Sequence, residues 1–130
     1  MNKLIFKLVF LGFISMPSWA FASSAVEEEF CAQLKGANAE LEETLLQIKQ
    51  KKNDDSEFLM ALTNSQKQWM QYVDAEVLME FPSQRVIDYG SVLPMCQCIT
   101  RLGLTQERIT TLKQWLEPVV EGDVCTGSKR

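Results

Sequence analysis

Histidine is absent from this chain of 130 residues, and with it goes the side chain that most often accepts a proton near neutral pH or ligates a metal. No serine or cysteine sits in a nucleophile motif either, so covalent catalysis lacks its usual starting group. Asp74 and Glu76 are two apart, and two such carboxylates diverge on a helix instead of flanking a bond, which argues against a glycosidase pair. There is one close cysteine pair, Cys96 and Cys98, and without histidine it does not make a zinc site. Beyond its first residues the chain has no apolar run near the roughly 20 residues that a membrane span needs. No repeat and no credible strand is present. These absences point to a protein that acts by binding, not an enzyme, with no cofactor and no metal.

The start of the chain reads as an export signal. Lys3 and Lys7 give a positive beginning, residues 8–16 are apolar, and Pro17 leads to Ala20 and Ala22, which fit the small-x-small cleavage rule. We expect a signal peptide over residues 1–22 with the cut after Ala22, the position after Ala20 being the second choice, and hence a periplasmic or secreted protein. Cys31 lies well past that cut, so no lipid anchor is expected. Loss of Lys3 and Lys7 with the leader takes the net charge from −4 to −6. Such an acidic surface repels nucleic acid and anionic lipid and suits a cationic partner.

One small domain of this length buries only a modest core, so covalent ties would help. Cys31, Cys96, Cys98 and Cys125 form an even set in an exported chain, and we expect two disulfides. Cys96 and Cys98 point to different sides of a helix and do not pair with each other. Two pairings remain open: Cys31 with Cys98 and Cys125 with Cys96, or Cys31 with Cys96 and Cys125 with Cys98.

The apolar spacing is helical throughout. Phe30, Leu34, Ala37, Leu41, Leu45 and Ile48 recur every three or four residues, predicting a long helix over 26–52. A turn at 53–56 supplies a new N-cap, and a second helix through Leu59, Leu62, Trp69, Val73 and Val77 runs to about residue 80, where Pro82 ends it. Residues 83–90 are the one substantial loop. Ser91 then caps a short third helix that Gly103 breaks, and Thr105 caps a fourth, with Leu104 and Ile109 as its hydrophobic staple. The expectation is an all-α, disulfide-stabilised bundle of about four helices, a long antiparallel hairpin plus two shorter ones. The domain covers 23–120, and Cys125 ties back a polar tail over 121–130.

The second helix carries the most informative stretch. Gln66, Trp69, Tyr72 or Val73, and Glu76 share one stripe, a packing face with polar groups set into it. Half-buried polar groups need partners. The expected structural network therefore joins Gln66, Trp69, Tyr72, Asp74 and Glu76 to Arg108, whose guanidinium would be received by the two carboxylates while Trp69 and Tyr72 fill volume.

Taken together these residues resemble the LprI-like family, small exported bacterial proteins whose domain is named after a lysozyme-inhibitor lipoprotein. The resemblance rests on Cys31 ahead of Ala39-Glu40-Leu41, on Gln66, Trp69, Tyr72, Asp74, Ala75 and Glu76, on Gly90-Ser91, and on Leu104, Thr105, Arg108 and Leu112. This chain departs from the family pattern at Val77, where a cysteine is common. It also lacks an earlier N-terminal cysteine, and Cys96 and Cys125 stand outside the pattern. The resemblance implies a binder whose partner is a basic lysozyme or other peptidoglycan hydrolase. For such a partner the loop with Asp88 and Tyr89, or the patch of Glu40, Glu42 and Glu43, is the expected surface. The alternatives are a structural or accessory envelope protein and an immunity protein against a periplasmic toxin.

Overall fold

The computed structural model of the protein describes residues 19–129, with side chains from residue 25 onward. Most of the expected leader lies outside the described residues. Four α-helices form, α1 (Trp19–Lys51), α2 (Ser56–Glu80), α3 (Val86–Tyr89) and α4 (Leu93–Lys113), followed by a 3-10 turn at Gly127–Lys129. Among the described residues there is no strand. The all-α expectation is borne out.

At 33 residues α1 is about 50 Å long, and it starts before the predicted point. It passes through the expected cut after Ala22, so a chain cut there begins inside this helix. Lys49 and Lys51 sit in its last turn, where the partial negative charge of the free carbonyls favours cations. After the turn, Asp55 caps α2 by accepting a hydrogen bond from the Phe58 amide at 2.9 Å. The helix stops at Phe81, one residue before Pro82.

The links between helices fix their directions. Near the start of each, α1 and α4 are joined by a Cys31–Cys98 disulfide, and near the end of each Lys51 donates to the Trp115 carbonyl at 3.0 Å, so the two helices run parallel. Arg108 meets Gln66, Arg101 meets Asp74 and Thr100 meets Glu80, a descending register that makes α2 antiparallel to α4 and hence to α1. The closest pair is α1 with α4. Small residues, Ala37, Thr44 and Thr105, are buried in these two helices, and the Thr44 hydroxyl is satisfied by the Glu40 carbonyl at 2.8 Å.

The core follows from that arrangement. Leu41, Leu45 and the fully buried Ile48 of α1 meet Leu102, Ile109 and Leu112 of α4, with Phe58 and Leu62 of α2 closing the third side. Each of these side chains contributes about 1.5–3 kcal/mol by leaving water. Phe58 packs on Trp115 with ring centroids 4.9 Å apart, and Lys129 of the tail covers Trp115 with its ammonium 5.6 Å from the ring centre.

Several expectations need correction. Gly103 does not break the chain into two helices: α4 is continuous from Leu93 to Lys113. Thr105 is therefore no N-cap, and Leu104 with Ile109 is no staple. The stripe Cys98, Leu102, Thr105, Ile109, Leu112 crosses Gly103 without losing phase, and its burial against α1 outweighs the roughly 1 kcal/mol that a helical glycine costs. Ser91 does not cap α4 either. Val92 holds that place with no side-chain cap bond, and Pro94 falls in the first turn where its missing N–H costs nothing. The loop over 83–90 contains a helical turn of its own, α3.

The cysteines divide. Cys31 bonds Cys98, one of the two partners left open, whereas Cys96 and Cys125 are free thiols and no second bridge forms between them. Distance along α4 explains this. Cys96 lies in the first turn of α4, while the tail folds onto Trp115 and Gln114 at the far end, about 27 Å away at 1.5 Å per residue. A disulfide spans no more than about 7 Å between Cα atoms, well short of that length of helix. The tail is tied back through Lys129 and the buried Thr126, not through Cys125, which is exposed.

Two outcomes test this arrangement. No atom lies within 4 Å of a Cβ built on Gly103, so Gly103→Ala should stabilise the domain by about 0.5–1 kcal/mol, a rise of a few degrees in Tm. A fall in Tm would restore the break. Intact-mass spectrometry of the native protein should detect the gain of two hydrogens on reduction and two thiols alkylated beforehand. Closing a loop of 67 residues is worth about 4 kcal/mol in the chain-entropy account, so the Cys31→Ser, Cys98→Ser variant should lose stability of that order.

Candidate functional site

α2 is 25 residues long and buries one narrow stripe, Phe58, Leu62, Val73 and Val77, with Trp69 half-buried among them. Tyr72, expected to fill volume, is half exposed. From Trp69 the next residue on the buried line is Val73, four along, and the position three along is turned off the face. Glu76 is half-buried on the same helix.

Arg108 reaches α2 from α4, as expected, but its partners are neutral. Its Nε donates to Gln66 Oε1 at 3.2 Å, its Nη2 donates to Ser65 Oγ at 3.0 Å, and the guanidinium stands 6.0 Å from the centre of the Trp69 ring. Asp74 and Glu76 do not receive it. Asp74 instead takes Arg101 at 2.8 Å, because the antiparallel register sets residue 74 two turns of α4 away from residue 108. The expected network therefore separates into two clamps, Gln66, Ser65 and Trp69 on Arg108, and Asp74 on Arg101. Burial pulls the Arg108 guanidinium below its ordinary value, with no carboxylate among the described residues close enough to offset it. Arginine nonetheless stays charged at any physiological pH. Ser65 and Arg101 were not singled out by pattern. Arg101 lies one heptad before Arg108, on the same face of α4, which was the available signal.

Because α2 meets its neighbours mainly through long side chains, clefts open on both its flanks. The cleft against α1, about 370 Å³, has a floor of Leu34, Leu41, Trp69 and Val73, with Glu42 and the Arg101–Asp74 pair at its rim. The other lies against α4, about 490 Å³, and runs from Ser65 and Arg108 past Phe58 and Trp115 to Asp55 and Glu57.

The loop surface is more defined than its sequence suggested. Gln84, with φ of 53°, donates to the Phe81 carbonyl and accepts from Gln97 of α4 at 2.7 Å. Arg85 grips Asp88 through two bonds, at 2.9 and 3.2 Å. Tyr89 meets Phe81 edge-on at 5.5 Å. At the tip Ile87 is 85% exposed and its chain neighbour Val86 is exposed too, as are Leu78 and Met79 in the last turn of α2. Of the acidic patch on α1, Glu40 is paired with Lys113 at 2.7 Å and Glu43 accepts from Gln47 at 2.9 Å, while Glu42 faces the α1 cleft.

The family described as lysozyme inhibitor LprI matches residues 21–112, from the start of α1 to the end of the α4 stripe. No curated protein and no solved structure matches the chain.

The neutral clamp has a measurable consequence. Arg108→Ala should cost about 1 kcal/mol, the worth of its exchanged hydrogen bonds. In double-mutant cycles Arg108 should couple to Gln66 and not to Asp74, whereas Arg101 couples weakly to Asp74 as an exposed pair does. Coupling between Arg108 and Asp74 would bring back the carboxylate arrangement.

Proposed function

The chain belongs to the LprI family, and from that membership we propose that it is an exported, non-enzymatic binding protein that inhibits a lysozyme-like peptidoglycan hydrolase. The observation that carries the reading is the α3 tip. A short turn braced by Gln84, Arg85–Asp88 and Tyr89 on Phe81 holds the apolar Ile87 outward, so little conformational freedom is lost when it enters a cleft. The acidic surface supports the same reading, since it draws a basic enzyme toward the protein. A disulfide between Cys31 and Cys98 fits an oxidising compartment, and among the described residues no helix is long and apolar enough to cross a membrane.

An envelope spacer would be favoured by a continuous apolar strip along the helical hairpin. Exposed Leu78, Met79, Val86, Ile87 and Val92 fall within or close to α3 in the sequence, while Leu46, Met60, Met70, Val120 and Val124 are spread over the rest of the chain. That distribution favours a local docking tip over lateral assembly.

Purified, oxidised mature protein should inhibit a c-type lysozyme or a bacterial muramidase, more strongly at low salt than at moderate salt. Ile87→Asp should weaken inhibition about tenfold or more while leaving Tm unchanged, since the side chain is almost wholly exposed. Full inhibition by that variant would remove the tip from the reading, and no inhibition of either enzyme would remove the reading itself.

A further inference from the structure

Resting on the α3 tip as the docking element, we infer that the Cys31–Cys98 disulfide is a redox switch for that tip: the bonded form holds the tip ready to dock, and reduction releases it. The distribution of buried side chains explains why a covalent bond matters at this end. The main apolar cluster takes Leu102, Ile109 and Leu112 from α4 and nothing earlier in that helix. Before Leu102 the one buried side chain of α4 is Leu93, which stands outside the cluster. On α2, Val73 and Val77 are buried but stand outside it too. The first turn of α4 is also weakly determined by its own sequence, because Val92 offers no side-chain cap to the free amides. The covalent bond fixes this stretch to α1, with Cα atoms 5.2 Å apart.

The tip hangs on the same turn of α4. Gln97, next to Cys98, donates to Gln84 Oε1 at 2.7 Å, and Thr100, two residues on, donates to Glu80 Oε2 at 2.6 Å. Glu80 and Gln84 flank Phe81, on which Tyr89 packs edge-on. The other ties of the tip, Arg85 to Asp88 and the Gly90 amide to the Val86 carbonyl, lie within the loop itself. Both side-chain bonds that reach from α4 to the tip end therefore issue from residues within two positions of Cys98. A dithiol reductant completes the chemistry: it gives up two electrons and two protons and closes to its own disulfide, while the sulfur–sulfur bond breaks and Cys31 and Cys98 become thiols. Cys96 and Cys125 are thiols in both forms, so the forms differ at this one bond. Without it, α4 before Leu102 opens locally at lower cost than the cluster that holds the rest of the helix. Gln97 and Thr100 then present no fixed turn to Gln84 and Glu80. A tip that is ordered for part of the time docks in proportion to that part.

The test compares two preparations of the mature protein, one alkylated as it stands and one reduced with dithiothreitol and then alkylated. Both are desalted, so Cys96 and Cys125 are blocked in each and no reductant meets the enzyme. Inhibition of the c-type lysozyme or bacterial muramidase should be about tenfold weaker with the reduced form, the loss expected of a tip ordered about a tenth of the time. Brief trypsin digestion should cut the reduced form after Arg85 about tenfold faster than the oxidised form, because cleavage follows the open population. In the reduced form that cut should also come well before the one after Arg108, which lies between the buried Thr105 and Ile109. A Cys31→Ser, Cys98→Ser variant, which carries no alkyl group at either position, should match the reduced form in both measurements. Equal inhibition by the two forms, equal cleavage after Arg85, or a single rate after Arg85 and Arg108 in the reduced form overturns the inference. No inhibition by the oxidised form removes the reading on which the inference rests, and the inference with it, so the oxidised sample tells the two failures apart.

Discussion

The parallel pairing of α1 and α4, bridged by Cys31–Cys98 at one end and closed by Lys51 on the Trp115 carbonyl at the other, is the constraint on which the rest of the molecule depends. Parallel neighbours in one chain need a long return, and α2 with the α3 segment is that return. The two helices approach closely where Ala37, Thr44 and Thr105 are buried, so this pair forms the rigid base. α2 is laid across it through Phe58, Leu62 and Trp69, long side chains that hold its backbone off. The two clefts beside α2 are the direct result of that stand-off.

The same geometry separates the two candidate surfaces. The α3 tip lies beside the start of α4, near the disulfide, where Gln97 and Thr100 donate to Gln84 and Glu80. The Arg108 cleft runs toward the end of α4, where Trp115, Lys129 and the α2 cap meet. α4 thus carries an apolar, protruding surface at one end and a concave, charged one further along. The tip is braced by contacts within the chain itself. In the cleft, Arg108 is held by the neutral oxygens of Gln66 and Ser65 and faces the Trp69 ring.

Much of this was legible in the chain itself. The α1 stripe from Phe30 to Ile48, the turn with its acidic cap, and the end of α2 before Pro82 are local signals, and each is realised. The placing of Arg108 against Gln66 was legible too, from polar groups set into a packing face. Its charge partners were not. Which carboxylate meets which arginine depends on the register of α2 against α4, and register is a property of two helices in contact. Gly103 misled because breaking power is a local preference of about 1 kcal/mol, and the burial of Leu102, Thr105, Ile109 and Leu112 exceeds it.

The cysteines mark the boundary between the two kinds of information. Composition established that a covalent tie was to be expected, and helical phase removed the pairing of Cys96 with Cys98. Only the parallel arrangement of α1 and α4 brought Cys31 to Cys98, with Cα atoms 5.2 Å apart, and left Cys96 and Cys125 at opposite ends of a helix too stiff to bring them together. The sequence by itself determined the all-α class and the inner faces of α1 and α2, because each follows from spacing and side-chain chemistry along the chain. The tertiary structure alone decided the disulfide, the partners of Arg108 and the bracing of Ile87, because each depends on which helix surfaces come within reach of one another.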